Sequence, residues 1–209
     1  MRLVREHINE MTMVRPIKYV PPFEGDINLS GKNLKELPKD LPKKITGSFY
    51  CFDNNLTFLK GSPKSVGVDF FCFRNNLISL EDAPRSVSRN FNCSHNKLTS
   101  LVGAPTLVYE SFNCSYNKLT SLKGSPIWVG GNFLCDNNNL TSLEDAPTYV
   151  GGSFSCSNNN LTSLKGAPTS VGKDFYCRNN NISKKEIERY FRTGAVRGTI
   201  YSDYGEYKR

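Results

Sequence analysis

Histidine and tryptophan are nearly missing: the 209 residues include two histidines and one tryptophan. His7 and His95 are too few for a histidine-rich metal site, and they leave no Ser–His–Asp order to argue. No P-loop and no dinucleotide-binding glycine fingerprint occurs. No apolar run reaches the roughly 18 residues of a membrane-spanning helix. The start, Met1-Arg2-Leu3-Val4-Arg5-Glu6-His7, lacks the apolar stretch of a secretory signal. Charge of one sign is never concentrated. The net charge of +8 divides into zero over residues 1–26, +4 over 27–177 and +4 over 178–209. A nucleic-acid binder gathers its cations on one stripe, so this spread reads first as a solvated basic surface. The cysteines number seven, and an odd count argues against a complete disulfide framework.

What is present is a single period. Cysteine falls at 51, 72, 93, 114, 135, 156 and 177, every gap being 21. Phenylalanine repeats from 49 to 175 and asparagine from 54 to 180 in the same register. Leucine holds two further columns, 56 to 161 closed by Ile182, and 59 to 164. Proline recurs from 63 to 168 and valine from 66 to 171, after Ile45. So many columns in one register define a repeat protein.

The unit Phe154-Ser155-Cys156-Ser157-Asn158-Asn159-Asn160-Leu161-Thr162-Ser163-Leu164 shows the physics. Phe154 and Cys156 are two apart, so they share the inner face of a short strand, and Ser155 and Ser157 face out. Asn159 follows where the chain turns, and its amide can bond neighbouring backbone groups. Leu161 and Leu164 turn back beneath the strand. Pro168 fixes φ on the return segment, which is expected to be extended, polyproline-like or 3₁₀ rather than α-helical. Ile27-Asn28-Leu29 begins the series with leucine in the cysteine place, one residue further out of register. The expected architecture is a repeat solenoid with a single parallel β-sheet of about eight short strands. A three-sided β-helix is the alternative, although the Gly and Pro positions leave little room for two more strands per turn.

The spacing F-x-C-x-x-N-x-L-x-x-L resembles the leucine-rich-repeat core L-x-L-x-x-N-x-L-x-x-L over residues 27–182. The segment Leu37-Pro38-Lys39-Asp40-Leu41-Pro42-Lys43-Lys44-Ile45 is similar to the Leu-Pro linkers of short bacterial-type repeats, known from effectors of enteric pathogens. The form Leu-Thr-Ser-Leu-Lys-Gly-Ala-Pro with Val-Gly-Gly-Ser-Phe-Ser-Cys-Ser-Asn-Asn is closer still to bacteriophage-encoded repeat proteins. One departure stands out: Val150 lies four residues before Phe154, where the usual repeat has a leucine three before, which implies a wider entry into each strand. Effectors with such repeats can carry a ubiquitin-ligase domain after them. The 27 residues following Ile182 leave no space for one, and no enzyme activity is expected.

A solenoid must cover its ends. Ser183-Lys184-Lys185-Glu186 reads as a capping box, with Ile187, Tyr190 and Phe191 on one helix face and Gly194 as the stop. Residues 183–209 are therefore expected to form a helical cap and tail. The tail around Ile200 would add an edge strand or pack as a loop. Residues 1–26 are expected to form a leader, with a short helix over residues 2–10 and an extended link through Pro16, Pro21 and Pro22.

The cysteine ladder reads as small buried hydrophobes. Neighbouring strands are about 4.8 Å apart, too far for the roughly 3.8 Å between disulfide Cβ atoms, and a line of thiols does not converge on a zinc ion. Free thiols imply a reducing compartment, most simply cytoplasm. The residues before each asparagine lack the repeated carboxylates of a calcium array. No metal or cofactor is expected.

The outward strand positions remain. Tyr50, Phe52, Phe71 and Phe73 gather four rings in adjacent repeats, and the turns that follow carry Arg74, His95 and Tyr116. Exposed aromatic clusters mark interfaces, so these seven residues form the candidate protein-binding site. The competing reading has the leader, with Val14, Ile17, Tyr19 and Val20, folding over the rings. A basic nucleic-acid-associated protein using Arg189, Arg192, Arg197, Lys208 and Arg209 is the functional alternative, and a virion or assembly component is a third.

Overall fold

A computed structural model describes residues 21–208. The expected leader helix, the apolar leader residues Val14 to Val20 and Arg209 lie outside the described residues. Each turn of the solenoid contributes one two-residue strand to a parallel sheet: Ile27–Asn28, Phe49–Tyr50, Phe70–Phe71, Phe91–Asn92, Phe112–Asn113, Phe133–Leu134, Phe154–Ser155 and Phe175–Tyr176. The tail does add an edge. Ile200–Ser202 pairs parallel with Phe175–Tyr176, and Gly205–Tyr207 folds back antiparallel on it, so the sheet has ten strands.

The return side differs from a plain extended connection. Lys44–Ile45, Ser65–Val66, Ser86–Val87, Leu107–Val108, Trp128–Val129, Tyr149–Val150 and Ser170–Val171 form a second, seven-stranded parallel ladder. The single sheet is thus corrected to two. A residue of one turn stands directly over its equivalent in the next, and two extended residues already suffice to link N–H to C=O. Isolated bridges Phe23–Ile45 and Val171–Val196 continue the second ladder at both ends. The wide entry before each phenylalanine is the bend between the two ladders. Between strand exit and return, the chain reverses through i→i+3 turns such as Ala146 N–H to Leu143 C=O, 3.0 Å. No 3₁₀ helix forms among the described residues.

The columns are the core. Phe49 to Phe175, Cys51 to Cys177, both leucine columns and the valine column are 0–4% exposed. The seven phenylalanine rings stack as a spine with centroids 5.1–5.7 Å apart. Burying each such ring contributes about 1.5–3 kcal/mol. The thiols are free and buried. Several donate weakly to the next strand's carbonyl, as Cys135 Sγ does to Ser155 O at 3.1 Å, which an aliphatic side chain cannot do.

Two polar ladders satisfy the backbone. Asn96 Nδ2 donates to Cys72 O, Cys93 O and Ser94 O, while its Oδ1 accepts from Leu77 N–H at 2.9 Å. The other asparagines of the column repeat this, so each ties its own turn to the preceding one. The second ladder precedes the phenylalanines. Asp69, Asn90, Ser111 and Asn132 each accept the N–H of the equivalent residue one turn on. A buried N–H must find a partner, and this column meets the need with serine, aspartate and asparagine.

The C-terminal end is closed by the helix Lys184–Thr193, with N-cap Ser183 accepting from Glu186 N–H and Gly194 left-handed at its end. Ile187 and Tyr190 are its buried residues. Tyr190 places its ring 5.0 Å from Phe175, ending the spine, and its hydroxyl donates to Pro168 O at 2.7 Å.

Candidate functional site

Alternation along the strand decides which side chains face outward. Because Phe49 and Cys51 are held inside, Tyr50 and Phe52 must point away, and Phe71 and Phe73 repeat this one turn later. All four are half-buried. They form one ring cluster: Phe52 stacks on Phe73 at 4.5 Å, Tyr50 approaches Phe71 at 5.5 Å and Phe52 at 6.3 Å, and Phe71 meets Phe73 at 6.1 Å. The rings shield one another, yet their outer surface meets no other described segment in a ring contact.

The turn residues Arg74, His95 and Tyr116 follow along the strand-exit edge, all three exposed. His95 and Tyr116 stack face to face at 4.3 Å. Arg74 lies 3.7 Å from the Asp53 carboxylate, a loose exposed pair that contributes little. The structure therefore brings the seven candidate residues onto one edge of one face. All three turn residues have positive φ, 49° at Arg74, 52° at His95 and 56° at Tyr116.

Beyond them the face turns polar. A shallow groove of about 310 Å³ is lined by residues that include Ser94, His95, Asn113, Ser115, Tyr116, Leu134 and Asp136. Its polar oxygens are largely committed within the fold. Asn113 Oδ1 accepts from Ser115 N–H, and Asp136 Oδ1 from Ser157 N–H and the Ser155 hydroxyl, while Asn92 Oδ1, outside the groove lining, accepts from Ser94 N–H and Oγ–H. The aromatic end is thus the part of the face with unspent binding capacity.

Three of the C-terminal cations have carboxylates beside them. Arg189 pairs with Glu186 at 2.8 Å, Arg192 lies 4.0 Å from Glu188, and Lys208 pairs with Glu206 at 2.6 Å. Arg197 is exposed. Among the described residues no group of three His, Cys, Asp or Glu side chains gathers as a metal site, and no helix is long and apolar enough to cross a membrane.

A second aromatic surface lies apart from the seven candidate residues. On the return ladder, Leu107, Trp128 and Tyr149 stand in register. Trp128 stacks on Tyr149 at 5.6 Å and meets Tyr109 edge-on at 5.7 Å. The signal was in the residue before each valine, which changes from Ser86 to Leu107, Trp128 and Tyr149 and back to Ser170.

Two ladders per turn, a buried Phe–Cys–Asn–Leu–Leu register and an open outward face define a leucine-rich-repeat solenoid. No family model matches the sequence, and no curated protein does. Among solved structures, a Shigella effector leucine-rich-repeat domain is similar with a TM-score of 0.64 and 23% identity, over 85% of this chain and 80% of that one. YopM from Yersinia enterocolitica WA-314 aligns with a TM-score of 0.34 and 18% identity, over 74% of this chain and 51% of that one. The Shigella likeness establishes the fold and nothing more.

Proposed function

We propose that this protein is a non-enzymatic protein-interaction module that holds a protein partner on the outward face of the ten-stranded sheet. One observation carries the reading: four half-buried aromatic rings clustered on a face whose core duties are met by other residues. Aromatic residues dominate binding energy at protein interfaces. The site comprises Tyr50, Phe52, Phe71, Phe73, Arg74, His95 and Tyr116. Seven free, buried thiols suit a reducing compartment, most simply cytoplasm, and the resemblance of the repeat to bacterial-type and bacteriophage-encoded repeats suits a product of a bacterium or its bacteriophage. The nucleic-acid alternative is weakened by the carboxylate partners of Arg189, Arg192 and Lys208.

The test compares proteins retained from bacterial lysate by the native chain, by a Phe71→Ser/Phe73→Ser variant and by a Trp128→Ser variant. The expected partner is lost with the first variant and kept with the second. Retention by all three rejects the sheet-face site.

A further inference from the structure

The turn after each strand carries its own internal control. In every repeat one residue there takes left-handed backbone. Three repeats use asparagine, at 137, 158 and 179, and the first turn has Gly31 in the equivalent place; asparagine tolerates that conformation because its short amide can bond locally. Asp53 and His95 also belong to types enriched there. Arg74 at φ 49° and Tyr116 at φ 56° do not. Bulky side chains in left-handed backbone are outliers, and such outliers concentrate at binding sites.

Packing does not explain them. The Arg74 side chain is 63% exposed, and its Asp53 contact is a loose 3.7 Å. Tyr116 is 51% exposed and rests on His95 rather than in the core. Both lie beside unspent apolar surface. Arg74 directly follows Phe73, whose ring is stacked on Phe52, and the His95–Tyr116 stack lies one and two repeats further along.

Resting on the protein-binding reading, we propose that Arg74 and Tyr116 are specificity-determining residues of the sheet-face site. We assign to it a linear peptide segment that carries a carboxylate close to aromatic or apolar side chains. The guanidinium fork matches a carboxylate in two parallel hydrogen bonds, and the Phe52–Phe73 and His95–Tyr116 stacks are surfaces for apolar groups. Two repeats span about 10 Å, the length of about three extended residues. The carboxylate and the ring of the segment therefore stand within about three residues of each other. Asp53 and Asp136 border the strip, so it suits a single carboxylate at Arg74 better than the continuous run of charges on a phosphate backbone.

The experiment selects from a random linear peptide library on the full chain, then measures the selected peptides against Arg74→Asn, Tyr116→Asn and Phe71→Ser/Phe73→Ser variants. Acidic peptides with a nearby aromatic residue are expected. Their affinity should drop about tenfold or more on Arg74→Asn, because a charge-assisted bond is lost. Replacing the peptide's acid with its amide should abolish that difference. The Arg74→Asn variant should melt at or above the native temperature, since asparagine relieves the backbone. Several results overturn the proposal: no selected peptide, selected peptides without acids, native affinity on both asparagine variants, or a lower melting temperature for Arg74→Asn. Displacement of the peptides by an oligonucleotide through Arg74 overturns it in favour of nucleic acid. Loss on Phe71→Ser/Phe73→Ser alone leaves the sheet-face site standing without these specificity residues, whereas no loss on any variant overturns both.

Discussion

The buried thiols make the fold sensitive to alkali in a way that can be worked out in advance. Burial pushes all seven thiols up, Cys177 from 9.0 to about 12. Above pH 9 the unfolded chain loses thiol protons that the folded chain keeps. The unfolded state then binds fewer protons, so stability falls as pH rises. This contribution is intact below pH 9 and declines from there up through the folded-state values. At pH 10 each thiol favours unfolding by about 1 kcal/mol or more. Seven together are as large as the whole stability of an ordinary domain. Thermal melts followed by circular dichroism under reducing conditions should hold steady to about pH 8.5 and collapse between about pH 9 and 10.5. Thiolate ultraviolet absorbance should appear together with unfolding, not before it. A Cys114→Ala variant should lose about one seventh of the alkaline slope, since one of seven equivalent thiols is removed. Melting temperatures unchanged to pH 10, or thiolates titrating near pH 9 in a chain with native dichroism, would refute the buried ladder.

Replacing Asn96 with alanine leaves the buried Leu77 N–H without its partner and removes one of the two amide donors from each of Cys72 O and Cys93 O, and urea titration should show a loss of about 2 kcal/mol. Gly151→Ala should be destabilising by about 2 kcal/mol or more in the same assay, because a Cβ there would sit 2.2 Å from the Gly130 carbonyl oxygen. Partner binding should change little between about 50 and 200 mM salt, whereas a loss of about 10³-fold or more would identify nucleic-acid recognition instead.

The core was legible because each turn sets the same demand. Phe, Cys, Asn, Leu and Val recur wherever a side chain must fit the same slot between two copies of itself, and the helix stood out through Ser183, Ile187, Tyr190 and Gly194. The second ladder was hidden because two residues such as Lys44–Ile45 or Ser65–Val66 carry no alternation to read. The left-handed turn residues were hidden for another reason. Arg74 and Tyr116 contradict the conformation they occupy, and only Asn137, Asn158 and Asn179 in the same column hinted at it. The four rings could be placed from the parity around each cysteine. The Trp128–Tyr149 ridge is harder to read because it belongs to the return ladder, whose two-residue strands show no alternation.

The central claim is that the ring cluster binds a partner. Its most direct test is the affinity of a captured partner for the Phe71→Ser/Phe73→Ser variant, measured alongside the variant's melting temperature. Losing two interfacial rings should weaken binding about tenfold or more. The rings also pack on each other, so the melting temperature should fall by only about 2–8 °C, corresponding to about 1–2 kcal/mol. Native affinity in a folded variant would contradict the account.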